Sequence, residues 1–183
     1  MMIFVALALA NATPVPPPIE QESADCEHSS YASDQLVCSD ESLTALDREL
    51  KALLPVRAEQ HGLLIEPQTD WFKRSRVCAF QTNHLGCLRA AYRERIAIVR
   101  AAHQFDVNSM QWIALKCGKA AIDLGPLDNG VYAVRRDDKI ELALAATELA
   151  AWKPYLAMTE VRSKTRLLWA NGSVVRCGRM SKP

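Results

Sequence analysis

The chain has 183 residues, of which 49% are hydrophobic, enough to build buried cores and to exclude an intrinsically disordered protein. Its 22 basic and 21 acidic side chains nearly cancel, whereas a nucleic-acid-binding protein usually carries a basic surplus. No uninterrupted apolar run reaches the ~20 residues that a helix needs to span a bilayer. These features predict one ordinary domain or two small ones, without a nucleic-acid partner and without a membrane span.

The N-terminus resembles an export signal. Residues 1–10 are uncharged and apolar and end in Ala8-Leu9-Ala10, the small-x-small pattern that a signal peptidase accepts. A buried core helix or strand is the alternative, but four prolines follow within residues 14–18, and proline neither continues a helix nor joins a sheet interior. We therefore predict a cleaved signal peptide over residues 1–10, a proline-rich tether over residues 11–24 and a periplasmic location.

The cysteines form an even set, as is typical of disulfide-bonded proteins in oxidising compartments. A zinc site is the alternative, because His28 follows the first cysteine closely and His84 lies between the third and the fourth. No spacing matches a C-x-x-C pair, however, so we predict no metal and no other cofactor. Of the 15 possible pairings we favour the local ones, which are Cys26–Cys38, Cys78–Cys87 and Cys117–Cys177.

Residues 39–100 show helical periodicity. Ser39 and Asp40 suit a helix N-cap, and apolar residues then recur at spacings of three and four, at Leu43, Leu46, Leu50, Leu53 and Leu54. After the break at residues 66–69, a second helix is predicted to carry the apolar residues Trp71, Phe72, Val77 and Phe80. A third helix begins near Cys87, antiparallel to the second.

Beyond about His103 the pattern changes to short apolar or alternating runs, which predict strands. The runs cover residues 112–117, 130–135, 139–144 and 165–169, and Asn171-Gly172 is the strongest hairpin signal in the chain. Residues 143–152 are rich in alanine, so a helix is the alternative there. The predicted fold class is α+β: a small disulfide-stapled helical domain over residues 25–102, then a small β-rich domain, barrel-like or sandwich-like, over residues 105–183.

Four residues of the helical part are candidates for a structural role. Asp47 and Arg95 each lie beside an apolar stripe, so they form either a buried pair that locks the helices together or two solvated charges. We predict that Trp71 is a core residue rather than a binding hot spot, and that Tyr92 packs in the same core.

The helical segment resembles the N-terminal domain of the LprI-type lysozyme-inhibitor family. The shared pattern consists of four cysteines, a tryptophan seven residues before the third of them, and intervening leucines and charged residues. In this chain it is represented by Cys26, Cys38, Asp40, Leu43, Asp47, Trp71, Lys73, Cys78, Cys87, Tyr92 and Arg95. The resemblance covers about residues 25–102 and implies an exported bacterial protein that binds lysozyme.

The C-terminal part is similar, in outline, to the MliC-type lysozyme inhibitors, which are small β-barrels with a cysteine in an early strand. Cys117 and the segment 168–173 carry this similarity. It implies an inhibitory loop, for which Ser163 and Lys164 are the nearest counterparts and hence the predicted partner-binding residues.

Motifs for catalysis are missing from the sequence, and we expect no enzyme. The four histidines, at positions 28, 61, 84 and 103, are scattered, and the sequence contains neither a Gly-x-Ser-x-Gly elbow nor a glycine-rich phosphate loop. The resemblances imply a protein partner, lysozyme or another muramidase. The alternative is a periplasmic scaffold or immunity-type interaction protein that does not contact lysozyme.

Overall fold

The computed structural model describes residues 21–54, 63–146, 151–161 and 164–179, with the backbone alone at positions 161 and 179. The predicted signal peptide, residues 11–20 of the predicted tether and Ser163 lie outside these ranges. Four α-helices and eight strands follow one another in the described chain. The helices are α1 (Ala32–Ser39), α2 (Glu41–Leu53), α3 (Gln68–Ser75) and α4 (His84–Gln104). The strands are β1 (Leu63–Leu64), β2 (Ile113–Cys117), β3 (Ala120–Pro126), β4 (Val131–Arg136), β5 (Lys139–Ala145), β6 (Leu156–Val161), β7 (Lys164–Trp169) and β8 (Val174–Arg179).

Seven of the strands close into a barrel. Neighbours follow the order β5-β4-β3-β2-β8-β7-β6, and a parallel pairing of β5 with β6 closes the ring. The short strand β1, which lies between α2 and α3 in the chain, adds to the outer edge of β5. The predicted α+β class, with helices first and a β-barrel second, is confirmed.

Local sequence signals explain where the helices begin. Asp40 caps α2 as predicted, because its carboxylate accepts a hydrogen bond from the backbone N–H of Leu43 at 3.0 Å. Asn83 caps α4 in the same way through Gly86. Among the described residues, no helix combines the length and the apolar character that crossing a bilayer requires.

The hydrophobic interior has three parts. The helical core surrounds Trp71, Phe72 and Tyr92, and the ring of Trp71 meets that of Tyr92 edge to face at a centroid distance of 5.2 Å. A second core fills the barrel. A third layer joins the two, because Ile98 on α4 packs on outward-facing residues of β4 and β5, such as Val131 and Leu142. Trp71 and Tyr92 are thus core residues.

All three predicted disulfides form: Cys26–Cys38, Cys78–Cys87 and Cys117–Cys177. The first ties the segment before α1 to the end of that helix, and the third joins the neighbouring strands β2 and β8 inside the barrel. Because all six cysteines are oxidised, none supplies the thiolate ligand that the alternative zinc site needs.

One expectation about local structure is wrong, and of the two alternatives for the alanine-rich segment the described part shows the strand. The predicted helix after residue 69 ends at Ser75 and continues as a 3-10 helix, Arg76–Phe80, that turns Val77 and Phe80 out to solvent. The alanine-rich segment is a strand as far as Ala145, and residues 151–152, further along, lie in a bend rather than in a helix.

The predicted hairpin at Asn171-Gly172 joins β7 to β8. Gly172 adopts a φ of +87°, a backbone conformation that residues with a Cβ rarely adopt.

Candidate partner-binding surface

Lys164, one of the two predicted partner-binding residues, lies at the first position of β7. Its side chain is exposed, and its backbone pairs in register with Val161 of β6 and with Gly178 of β8. The other predicted residue, Ser163, lies outside the described residues. The structure therefore places Lys164 at the start of a strand, next to the tip of the β6–β7 connection.

Lys164 belongs to a group of cations on the outside of the barrel. Strand residues alternate between the two faces of a sheet, and the neighbours Leu115, Cys117, Leu167 and Cys177 belong to the barrel core. The strand residues one or three positions from these core residues therefore point outward. We call this group, Lys116, Lys164, Arg166 and Arg176, the cationic barrel face.

The register places these cations close to one another. Lys116, Gly178 and Lys164 are successive partners across β2, β8 and β7, and Arg176 is the partner of Arg166. Neighbouring strands lie about 4.8 Å apart, so the α-carbons of Lys116 and Lys164 are separated by about 10 Å. No described carboxylate forms an ion pair with Lys116, Lys164 or Arg176.

A groove of about 330 Å³ adjoins the cationic barrel face. Its lining includes Thr159, Arg166, Leu168, Lys153 and Pro154. The Thr159 hydroxyl is buried there without a hydrogen-bond partner. The groove thus offers an unused polar atom beside two cations.

A second exposed surface lies on the helical half, at the corner between α3 and α4. Phe80 is 88% exposed and Val77 is 53% exposed, although both are large apolar residues. The Cys78–Cys87 disulfide and the cap of α4 at Asn83 hold this corner. An aromatic side chain presented on a fixed turn can insert into a partner's pocket with little loss of backbone freedom. The sequence pattern placed Phe80 on a continuous helix and did not identify this corner as a candidate site.

A buried ionic cluster holds residues 152–155, which lie just before β6. Arg74 donates two hydrogen bonds to the Glu66 carboxylate, at 2.8 and 2.6 Å, and a third to the Lys153 carbonyl at 2.7 Å. Its guanidinium lies 4.3 Å from the ring centroid of Trp152. Trp152 in turn donates its indole N–H to Glu94 at 3.2 Å. The cluster is accounted for by these contacts, so its role is structural.

Burial dominates the electrostatics of this cluster. Glu94 is 4% exposed, and this burial raises the pKa of its carboxyl despite the nearby Arg74. Burial likewise lowers the pKa of the Arg95 guanidinium. Raised carboxyl pKa values also occur at catalytic sites, but here Trp152 and the backbone N–H of Tyr155 donate to Glu94 inside the core.

Asp47 and Arg95 are both buried, but they do not pair with each other. Asp47 accepts a hydrogen bond from the Tyr92 hydroxyl at 2.9 Å and forms an ion pair with Lys51 at 2.8 Å. Arg95 donates to the side-chain oxygen of Gln68 at 2.8 Å, and its guanidinium lies 5.9 Å from the ring centroid of Trp71. The two charges thus connect α2 and α3 to α4 separately, because each finds a partner on a different neighbouring helix.

Metal ions in proteins are held by groups of acidic, histidine or cysteine side chains. Within the described ranges no three of them come together in such a group. His28 contacts Asp25, and His84 contacts Ser33 instead of a second ligand.

Comparison with known proteins identifies similar chains in mycobacteria. Three curated proteins named Lipoprotein LprI, one from Mycobacterium bovis and two from strains of Mycobacterium tuberculosis, are each 30% identical to this chain over 102 residues. The match covers 52% of this chain and 52% of each relative, so the chain spans about half the length of the curated relatives it matches. No protein-family model and no solved structure matches the chain. The resemblance to LprI-type proteins is confirmed over about half of the chain.

Proposed function

We propose that this chain is an exported envelope protein that binds another protein, and that it acts as a lysozyme inhibitor of the LprI type. The similarity to the LprI lipoproteins carries this proposal. The three disulfides support export, because such bonds persist in oxidising compartments such as the periplasm. The motifs that carry the resemblance lie in the helical half, which also presents the exposed corner.

A muramidase is a suitable target for the two surfaces described. Its cleft holds two carboxylates that cleave the glycan. An inhibitor must fill such a concave site with a protruding group or neutralise the carboxylates with a cation. Phe80 on the disulfide-held corner offers the first, and Lys164 at the β6–β7 tip offers the second.

Binding without catalysis is the role that these residues support best. The buried charges of the helical half are hydrogen-bonded to one another, to neighbouring polar side chains or to the backbone, as structural groups are. The second candidate function, a periplasmic scaffold or immunity-type protein without lysozyme contact, would use the same exposed surfaces on a different partner.

The test is an inhibition assay against muramidases of several classes, with two point variants and a matched control for each. Phe80→Ala removes the exposed phenyl group, and truncation of an interface hot spot costs about 2 kcal/mol or more, so inhibition should weaken about thirtyfold. Its control is Val174→Ala, which shortens a large apolar side chain that is exposed on the barrel.

Lys164→Ala removes the cation at the tip and should weaken inhibition if the barrel contacts the enzyme. Its control is Lys139→Ala, because Lys139 is also exposed at the first position of a strand. Inhibition that is unchanged in both Phe80→Ala and Lys164→Ala would contradict the assignment of these surfaces. A folded protein that inhibits no muramidase would favour the scaffold role.

A further inference from the structure

The charges of this chain are segregated, although they nearly cancel overall. The last 23 residues, 161–183, contain six basic residues and no acidic one. Residues 1–160 therefore hold the other 16 of the 22 basic residues together with all 21 acidic ones, a formal charge of −5 against +6. Such a chain has a strongly cationic end on an acidic body.

Three of these six cations, Lys164, Arg166 and Arg176, lie on one side of the barrel. Helix α4 and strand β1 cover the opposite side, where they pack on β4 and β5. The cationic barrel face, on β2, β7 and β8, is left to solvent. Lys116, from outside the C-terminal segment, joins this face through its pairing with Gly178.

No described aspartate or glutamate forms an ion pair with Lys116, Lys164 or Arg176 of the cationic barrel face. The outward positions of β2, β8, β7 and β6 that the structure describes contain no aspartate or glutamate. On the neighbouring strand β3, Asp123 is already paired with Arg135 at 2.7 Å. Glu160 is exposed at the end of β6 but is in register with Thr165, whose side chain is buried.

We propose that the cationic barrel face docks this protein onto an anionic phospholipid surface, with the acidic body turned away from it. Cations near such a surface are attracted to the lipid head groups, and each strengthens binding about fivefold. The segregated charge orients the molecule, because the acidic part is repelled by the same surface. This role goes beyond the proposed inhibition: the two share Lys164, whereas Phe80 lies outside the cationic barrel face.

A membrane surface fits this face better than a polyanionic strand does. The cations lie on three adjacent strands rather than along one line. Apolar side chains lie between and beside them on the same outward face, including Leu168 and Val174, and Val174 is 37% exposed. A mixed cationic and apolar patch matches a lipid interface, where head groups and acyl chains meet. A nucleic acid or an acidic glycan would gain nothing from the exposed valine.

The experiment is co-flotation of the full chain with phosphatidylcholine vesicles, with and without phosphatidylglycerol. The test variant is Lys116→Gln/Arg176→Gln, which leaves Lys164 and Phe80 unchanged. The control is Arg48→Gln/Arg93→Gln, which removes the same charge from exposed positions of α2 and α4. We expect binding to the anionic vesicles alone, weakened about 25-fold in the test variant and unchanged in the control.

Three results would overturn the proposal. One is equal binding to neutral and anionic vesicles, which would assign the attachment to apolar segments. Another is equal loss in the test and control variants, which would show that net charge acts rather than this face. The third is tighter binding to soluble poly(dT) or polyglutamate than to the vesicles, which would assign the face to a strand-like polyanion. Because muramidase inhibition is measured on the same two double variants, a failure here is distinguishable from a failure of the proposed function.

Discussion

Trp152 is the residue whose removal most directly tests how the two halves of this protein depend on each other. It follows β5 in the chain, yet its side chain is 6% exposed and packs in the helical core. Its indole N–H also supplies one of the two hydrogen bonds that Glu94 receives within the described structure, the other coming from the Tyr155 backbone.

The cost of Trp152→Ala follows from these contacts. Truncating a buried tryptophan costs about 3–5 kcal/mol, and removing one of the two hydrogen-bond donors of the buried Glu94 adds about 1–3 kcal/mol. The two terms share a site and do not add fully, so we expect a loss of about 5 kcal/mol. Since whole domains are stable by about 5–15 kcal/mol, the variant should be close to unfolding.

Urea unfolding followed by far-ultraviolet circular dichroism, with the disulfides intact, measures this loss. Trp152→Phe separates the two terms, because it keeps most of the ring volume and loses only the N–H donor, at a cost of about 1–3 kcal/mol. Phe80→Ala is the control, since this exposed residue should change stability by no more than about 0.5 kcal/mol. A Trp152→Ala variant within about 1 kcal/mol of the wild type would refute the view that this residue joins the halves.

Three further predictions concern stability. Burial raises the pKa of Glu94, so the folded state holds this proton more tightly than the unfolded state does. The contribution of Glu94 to the free energy of unfolding should therefore fall as pH rises above 4.5, the ordinary pKa of the group. Urea titrations across pH measure this fall, which should be absent from the Glu94→Gln variant. Replacing Cys117 and Cys177 by alanine opens a loop of 60 residues and should lower the free energy of unfolding by about 4 kcal/mol. Opening the 9-residue loop of Cys78–Cys87 in the same way should lower it by about 2.5 kcal/mol. Thermal melting measures both losses, and the reverse order would contradict the loop-entropy argument. The domain boundary between residues 102 and 105 stays a prediction. Separately exported pieces 25–102 and 105–183 should each melt cooperatively, but with less stability than in the whole chain, because the helical piece lacks the Trp152 side chain that packs in its core. Pieces that fold only when mixed would make the chain a single domain.

The features that the sequence predicted well are those with strong local causes. Asp40 and the leucines after it define α2, because a cap and a repeated spacing of three and four are both local. Alternation predicted β4 and β5 within a residue or two at each end. The disulfide pairing follows the same logic, since two of the three bridges join residues 12 and 9 positions apart.

Features that depend on tertiary contacts were missed. Strand β3 contains Asp123, Gly125 and Pro126, which are poor strand residues, and it forms because β2 and β4 pair with it on both sides. Strand β1 has two residues and exists through its pairing with β5. Phe80 was predicted to lie on the helix that carries Trp71. The change from α-helix to 3-10 helix at Arg76 then rotates it outward, and no local signal marks that change.

The candidate site follows the same division. The sequence identified Lys164 through a family resemblance, but the alignment of Lys116, Lys164 and Arg176 on one face depends on the register of three strands. The partners of Asp47 and Arg95 also depend on helix packing, so neither the direct pair nor two solvated charges, the alternatives left open by the sequence, describes them. Only the segregation of charge into residues 161–183 is visible in the sequence itself.

Isothermal titration of the intact, oxidised chain into purified muramidases of several classes tests most directly whether this protein binds lysozyme or a related enzyme. The account predicts a saturable 1:1 complex with at least one of them, with a dissociation constant of about 1 μM or tighter, and loss of that enzyme's activity in step with occupancy. It also predicts that Phe80→Ala weakens the complex while Val174→Ala does not. A correctly folded protein that gives no heat of binding with any muramidase, and leaves all of them active, would contradict the claim that lysozyme is its target.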